Sequence, residues 1–299
     1  MRHRLEYGIV LVITAVVRLM PLTMVRACGA MLGRLASIVD RFHWRIALDN
    51  LARALPARSD AERRSVARAM FAHFGSLLLE LIKVGTLGDE DILARVQIEG
   101  EEHLRQAYAQ GRGVLLCTGH FGYWEINGIA FALHLEPIAL IARPLDNPYL
   151  HTMLERIRTR TGNTVIYRQG GLRRVLRELG NNRGVAMLID QHMHNDAVHV
   201  EYFNRPAATT SALAALALRT GAPVIPVFAL PLPGGRYRLV YEPPVPPPRE
   251  EGPDAVRDFT QRCTDVLEMY VRRDPHLWLW MHRRWREPVP TPPAVEEAS

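Results

Sequence analysis

Residues 113–125 read Gly113-Val114-Leu115-Leu116-Cys117-Thr118-Gly119-His120-Phe121-Gly122-Tyr123-Trp124-Glu125. The first six form an apolar run of strand length, the pattern of a strand buried on both faces. Tyr123–His134 then carries a helical pattern, and Gly119 and Gly122 permit a tight turn between the two elements. A strand that passes through a short turn into a helix is the repeating unit of α/β folds. In such folds ligands collect beyond the C-terminal ends of the strands, and His120 stands at such an end.

Working outward, the alternation continues. Strands are expected at Pro137–Ala142, Thr164–Tyr167, Gly184–Ile189, Pro223–Leu230 and Arg236–Tyr241, with a further short segment at His199–Phe203. Helices are expected at Pro148–Thr161, Leu172–Leu179, Ser211–Thr220 and Asp254–Arg272. On the N-terminal side, Arg45–Leu55, Asp60–Gly75 and Leu77–Val84 read as amphipathic helices, with Ser59 or Asp60 as an N-cap. The fold class this predicts is α/β, with a mainly parallel sheet flanked by helices.

The first forty residues differ in kind. A basic start, Met1–Arg4, precedes the apolar run Gly8–Val17, which Arg18 and Pro21 interrupt before Leu22–Val25. A spanning helix needs about 20 apolar residues, so this segment is short for a full span. No clean small-residue cleavage site follows, which argues against a removed signal peptide. The expectation is a retained helical membrane anchor over residues 1–40, its basic end on the cytoplasmic side. Residues 41–289 then form the catalytic domain, and residues 290–299, rich in Pro and Ala, a disordered tail.

Composition narrows the chemistry. The chain has 299 residues and a formal net charge of +6, which suits an acidic partner such as an anionic membrane face or an acidic carrier protein. Lys83 is the only lysine, so no GxxxxGK[ST] phosphate loop exists and a P-loop nucleotide enzyme is excluded. Three widely spaced cysteines, Cys28, Cys117 and Cys263, form no CxxC pair and read as buried thiols in a reducing compartment.

The chemistry points to His120 with Glu125. Residues five apart on one continuous helix point about 140° away from each other, so the two meet only if His120 lies in the turn before the helix. A carboxylate behind an imidazole fixes its tautomer and stabilises its protonated form. Such a pair takes a proton from an alcohol as that alcohol attacks a thioester. A helix-capping histidine is the plainer alternative, against which stand the two glycines, the strand end and the carboxylate.

His120-x4-Glu125 resembles the histidine-acid motif of the glycerolipid acyltransferase superfamily, and HFGYWE resembles the lipid A biosynthesis (lauroyl/myristoyl) acyltransferase family in particular. Further segments match that family in order. Ala142-Arg143-Pro144-Leu145-Asp146-Asn147-Pro148 resembles its RPxxNP segment. Arg160 and Arg168 flank a short strand as its arginines do, and Ile189-Asp190-Gln191 resembles its DQ segment. Phe203-Asn204-Arg205-Pro206-Ala207-Ala208-Thr209-Thr210 resembles FFGxPAATT, with Asn204 where glycine is usual, and Trp280-Met281-His282-Arg283-Arg284-Trp285 resembles WxHRR.

The resemblance implies an O-acyltransferase with His120 as general base and Glu125 orienting it. The donor would be an acyl carrier protein thioester, or acyl-CoA, and the acceptor a hydroxyl of a lipid A precursor or related glycolipid. Arg143, Asn147, Arg160, Arg168, Asp190 and Gln191 are the implied substrate-binding residues, arginine being suited to bidentate phosphate contacts. No cofactor and no metal are implied. The setting would be the cytoplasmic face of a bacterial inner membrane.

Other classes compete less well. Asp190, His192, His194 and Asp196 cluster in sequence, but the turn at Asn195-Asp196 and the lack of an HExxH spacing argue against a metallohydrolase. None of the six serines lies in GxSxG. Nucleic-acid binding has only the net charge in its favour. A non-enzymatic anionic-lipid-binding protein would explain the charge and the N-terminus, yet leaves His120 and Glu125 without a purpose. An acyltransferase for a lysophospholipid or aminolipid acceptor is the nearer alternative.

Overall fold

The computed structural model describes residues 1–168, 170–193, 196–249 and 252–286. The strands are β1 (Val96–Glu99), β2 (Val114–Thr118), β3 (Ala139–Ala142), β4 (Thr164–Tyr167), β5 (Gly184–Leu188), β6 (Ala197–Glu201), β7 (Pro206–Thr210), β8 (Val224–Leu232) and β9 (Arg236–Tyr241). Seven of them make one sheet in the order β1-β9-β8-β2-β5-β3-β4, and β6 and β7 form a separate antiparallel hairpin. From β8 to β4 every neighbouring pair runs parallel, and β9 reverses direction against β8.

The helices are α1 (Arg2–Leu19), α2 (Leu22–Val39), α3 (Arg41–Ala54), α4 (Asp60–Val84), α5 (Asp89–Leu93), α6 (Glu101–Tyr108), α7 (Trp124–His134), α8 (Pro148–Thr159), α9 (Leu172–Gly180), α10 (Ala212–Thr220) and α11 (Ala255–Arg273). They cover both faces of the sheet, as a parallel sheet requires. β2 shows how. Its side chains alternate, so Leu115 and Cys117 join the core under α3, α10 and α11, whereas Val114 and Leu116 join the one under α6 and α7. All four are buried, and replacing Leu115 by Ala would cost about 2–5 kcal/mol.

Two strands fall outside the expected set. β1 is short and half exposed, and β7 begins with Pro206 and consists of Ala and Thr, so neither carries a strong strand signal. The expected break after Gly75 is absent. Ser59 caps α4 in a reciprocal box with Glu62, and the helix then runs unbroken to Val84. Gly75 serves close packing instead. A Cβ there would lie 2.3 Å from the Gly29 carbonyl oxygen, and one at Gly33 would lie 2.0 Å from that of Phe71. The α2 and α4 backbones therefore touch, which only glycine allows.

The first forty residues fold as α1 and α2, broken at Met20-Pro21. By length and composition α2 and α4 are apolar enough to cross a membrane, but half of α4 is buried within the protein, as in an ordinary core helix. α1 and α2 each bury one side through Val17, Leu22 and Val25. They expose the other through Leu5, Ile9, Val12, Val16 and Leu19 and through Met31, Leu35, Ile38 and Val39. Of the three thiols expected to be buried, Cys117 and Cys263 are, whereas Cys28 on α2 is half-buried.

Candidate active site

The site forms where β2 and β5 end side by side. Their register pairs Thr118 with Leu188, and His120 and Asp190 each lie two residues beyond that pair. The turn between β2 and α7 is held on all sides. Gly122 N–H donates to Leu277 O (2.9 Å), Leu279 N–H to His120 O (3.1 Å) and Tyr123 N–H to Ala229 O (2.9 Å). Gly122 has φ +60°, and a Cβ there would lie 2.1 Å from Ala229 O, so both conformation and space require glycine. At Gly119 a Cβ would meet Leu267 at 2.8 Å and the Asp190 carboxylate at 3.0 Å.

Asp190 is buried and accepts three hydrogen bonds. His120 N–H reaches Oδ2 at 2.6 Å, the Trp278 indole N–H reaches Oδ2 at 2.8 Å, and His120 Nδ1 lies 2.8 Å from Oδ1. Because the ionised carboxylate only accepts, in the neutral ring Nδ1 carries the proton and Nε2 keeps its lone pair. Nε2 faces the Gln191 amide at 3.4 Å. Burial works against the charged imidazole and is the largest single influence on it. The charge and hydrogen bond of Asp190, with Glu125 adding from farther off, outweigh burial and raise the pKa of His120. Burial likewise opposes ionised Asp190, yet His120 and Trp278 hold its pKa down to about 2.

This corrects one expectation. The orienting hydrogen bond assigned to Glu125 is made by Asp190, because adjacent parallel strands in register bring residues 120 and 190 together. The Glu125 carboxylate is engaged elsewhere. Arg158 Nε donates to Oε2 at 2.9 Å, Arg158 Nη2 donates to Oε1, and the Trp124 indole donates to Oε1 at 3.1 Å. The Trp124 ring in turn meets the His120 ring edge-on at 5.0 Å. Glu125 thus borders the histidine through Trp124 and its negative charge.

A cleft of about 420 Å³ opens in front of His120, bounded by Trp124, Arg143, Arg158, Arg168 and Gln191. Behind Trp124 a narrow apolar pocket of about 60 Å³ runs under α7, lined by Gly128, Phe131, Ile138 and Leu140. Trp124, Arg158 and Leu188 line both, so the two spaces adjoin.

The expected binding residues divide accordingly. Arg143 is exposed at the mouth, 3.7 Å from Asp146, and Arg168 reaches Met193 Sδ at 3.1 Å. Gln191 faces His120. Asn147 and Arg160 are outside the cleft. Asn147 caps α8 through Tyr149 and Leu150 N–H, and its amide donates to His3 O (3.0 Å) and Glu6 Oε2 (2.8 Å). Arg160 donates to Val84 O at 2.8 Å and pairs with Asp89. His151 hydrogen-bonds Tyr167 (2.9 Å), which gives it a structural place.

Arg158 and Trp278 escape the sequence reading, and His282 enters it only as part of the Trp280–Trp285 segment. Arg158 looks like one of a row of solvated helix arginines. Trp278 lies two residues before the recognised Trp280 motif. His282 accepts the His192 N–H at 3.0 Å, and desolvation lowers its pKa to about 4, which keeps it neutral. Among the described residues no group of three or more His, Cys, Asp or Glu is placed to hold a metal ion. His194 lies outside those residues.

A sequence profile described as "Bacterial lipid A biosynthesis acyltransferase" matches residues 1–287. The chain belongs to this family. Its similarity to named members is moderate and nearly full-length. It is 28% identical to the lipid A biosynthesis lauroyltransferase of Escherichia coli (strain K12) over 270 residues, covering 89% of this chain and 87% of that one. The myristoyltransferase of the same organism is 25% identical, with 84% and 78% covered. The phosphatidylinositol mannoside acyltransferase of Mycolicibacterium smegmatis is 24% identical, with 79% and 77% covered. The family is thus one of acyltransferases whose named members act on lipid A and related glycolipids, and a thioester-cleaving base is the chemistry to test at His120.

Proposed function

We propose that this chain transfers a fatty acyl group from a carrier-protein thioester to a hydroxyl of a lipid A precursor. The observation that carries the reading is the His120–Asp190 pair at the cleft, with an apolar pocket adjoining. In the proposed step Nε2 takes the proton of the acceptor hydroxyl as its oxygen attacks the thioester carbonyl. The tetrahedral intermediate then collapses, the carbon–sulfur bond breaks, and the imidazolium returns the proton to the leaving thiolate. Asp190 fixes the tautomer and stabilises the imidazolium. Glu125 anchors Arg158 at the junction of cleft and pocket.

The apolar pocket under α7 is the proposed entry for the acyl chain, and Arg143 and Arg168 are the proposed polar contacts of the cleft. No metal or cofactor enters the step. Asn147 and Arg160 are proposed as structural supports of α8 rather than substrate contacts. The proposed seat is the cytoplasmic face of the inner membrane. There the exposed apolar sides of α1 and α2 enter the lipid while their other sides stay on α4. An amphipathic pair held this way lies in the interface.

The relative that acts on phosphatidylinositol mannoside favours a second acceptor class, a glycosylated phospholipid. The test supplies membranes containing the chain with acyl carrier protein thioesters and a tetra-acylated lipid A precursor, with a His120→Ala variant alongside. One added acyl group with the parent and none with the variant supports the proposal. Equal gain with both would sink the role of His120. No gain, with activity restored by a mannosylated phospholipid, would favour the second acceptor.

A further inference from the structure

Another cavity, of about 250 Å³, is lined by His192, the residue that follows Gln191 of the cleft. Its walls carry Arg53, His192, His199, Arg205, Arg284 and Arg286. Four arginines around one small space are a concentration of positive charge that the proposed chemistry does not use.

Arg284 is the telling member. Its side chain is 1% exposed. Nη1 donates to Ala208 O at 2.8 Å and Nη2 to the Thr209 hydroxyl, but buried Nε finds no partner. Arg53 has Asp49 at 2.9 Å, whereas neither Arg205 nor Arg284 has a carboxylate within ion-pair distance among the described residues. A buried guanidinium with no carboxylate in contact is costly even with Asp190 acting from farther off, and an anion in the cavity would relieve that cost.

The surroundings limit what the anion can be. A neighbouring cavity, which shares His199 and Pro206 with this one, carries the carboxylates Glu201, Asp258, Asp265 and Glu268 together with Arg257. The arginines of this cavity therefore form a small concave cationic spot. Such a spot suits a compact phosphate group and not an extended anionic surface. The spot is also tied to the site: Asp190 holds His120, Gln191 faces it, and His192 lines the cavity, all within roughly 7 Å of backbone.

We infer that this cavity binds a phosphate group carried by one of the two reacting molecules, with Arg205, Arg284 and Arg286 as its cationic wall. The inference rests on the proposed acyl transfer, which has two sources of such a group. One is a phosphorylated sugar of the acceptor, and the other is the phosphopantetheine arm of the donor.

The test replaces Arg205 and Arg286 together by Gln, leaving Arg284 to hold the hairpin. Calorimetric titration of the full chain uses glucosamine 1-phosphate as probe and glucosamine as its control. The parent should bind the phosphorylated sugar alone, and the double variant should bind it at least tenfold more weakly, with partial recovery in Arg205→Lys/Arg286→Lys. This measurement needs no turnover, so it stands even if acyl transfer fails. Kinetics then locate the source. A rise in KM for the acceptor, absent with a dephosphorylated acceptor, assigns the acceptor's phosphate, and a rise in KM for the thioester assigns the donor's. Unchanged probe binding overturns the site, and weakened binding with both KM values unchanged overturns its link to the reaction.

Discussion

Asp190 holds His120 at two atoms, its Oδ2 accepting the backbone N–H at 2.6 Å and its Oδ1 facing Nδ1 at 2.8 Å. The double contact locks both the turn and the ring. It also follows directly from topology, since β2 and β5 are parallel neighbours in register and the two residues occupy equivalent places past their ends. The Trp278 indole completes the arrangement by occupying Asp190 from the buried side.

Replacing Asp190 by Asn keeps the size and removes the charge. In the proposed reaction the base form of His120 is the active one, and Asp190 raises its pKa, so activity in the parent should rise through an elevated histidine pKa. Asp190→Asn should lower that pKa and move the acid limb of kcat/KM to lower pH. The plateau should fall by about 10²–10⁴-fold, because tautomer control and imidazolium stabilisation are lost. A pH–rate profile of both proteins checks this. An acid limb that stays put would show that Asp190 does not act through His120.

Glu125 and Arg158 should behave as a coupled pair. Their side chains are 10% and 19% exposed, so removing one partner strands the other's charge in a largely dry place. Arg158→Met should destabilise the fold by about 3–5 kcal/mol, and Glu125→Gln/Arg158→Met should recover part of that loss. Denaturant unfolding of the two single variants and the double variant gives the coupling energy. Additive losses would mean that the pair is not energetically linked.

Much of this architecture is legible along the chain because local signals agree with the final fold. The apolar run before His120, the glycines of the turn and the later strand–helix alternation each point to an α/β sheet with the site at the β2 end. What is not legible depends on pairing across distance. Glu125 is the obvious carboxylate because it is five residues from His120, whereas Asp190 is seventy away and arrives only through the β2–β5 register. Arg158 hides among Arg156 and Arg160, since a row of helix arginines does not say which one turns inward. The helices of the first forty residues are readable as apolar. Their fusion to α4 is not, because it hangs on Gly29, Gly33 and Gly75 meeting backbone to backbone.

The proposed seating on lipid can be separated from catalysis. Ile9, Val12 and Val16 lie exposed on α1, away from its contacts with α4. Exchanging all three for Glu should abolish co-sedimentation with anionic phospholipid vesicles, at about 0.8 kcal/mol per methylene withdrawn from lipid, while the thermal midpoint stays within a few degrees. If the triple variant still sediments with vesicles, α1 is not the lipid-facing element.

The narrow pocket under α7 makes a prediction about chain length. Gly128 lies against Leu140, where an added Cβ would come within 3.2 Å of Leu140 Cδ2, and it lines the pocket with Phe131 and Ile138. Gly128→Leu would fill the space that the first buried methylenes need. Each methylene denied burial forfeits about 0.8 kcal/mol, or about fourfold in preference. Competition between thioesters of increasing length, read by mass spectrometry of the lipid product, should therefore move toward shorter chains, with His120 chemistry intact on the shortest. An unchanged length profile in a folded variant would place the acyl chain elsewhere, along the open cleft between Trp124 and Arg168.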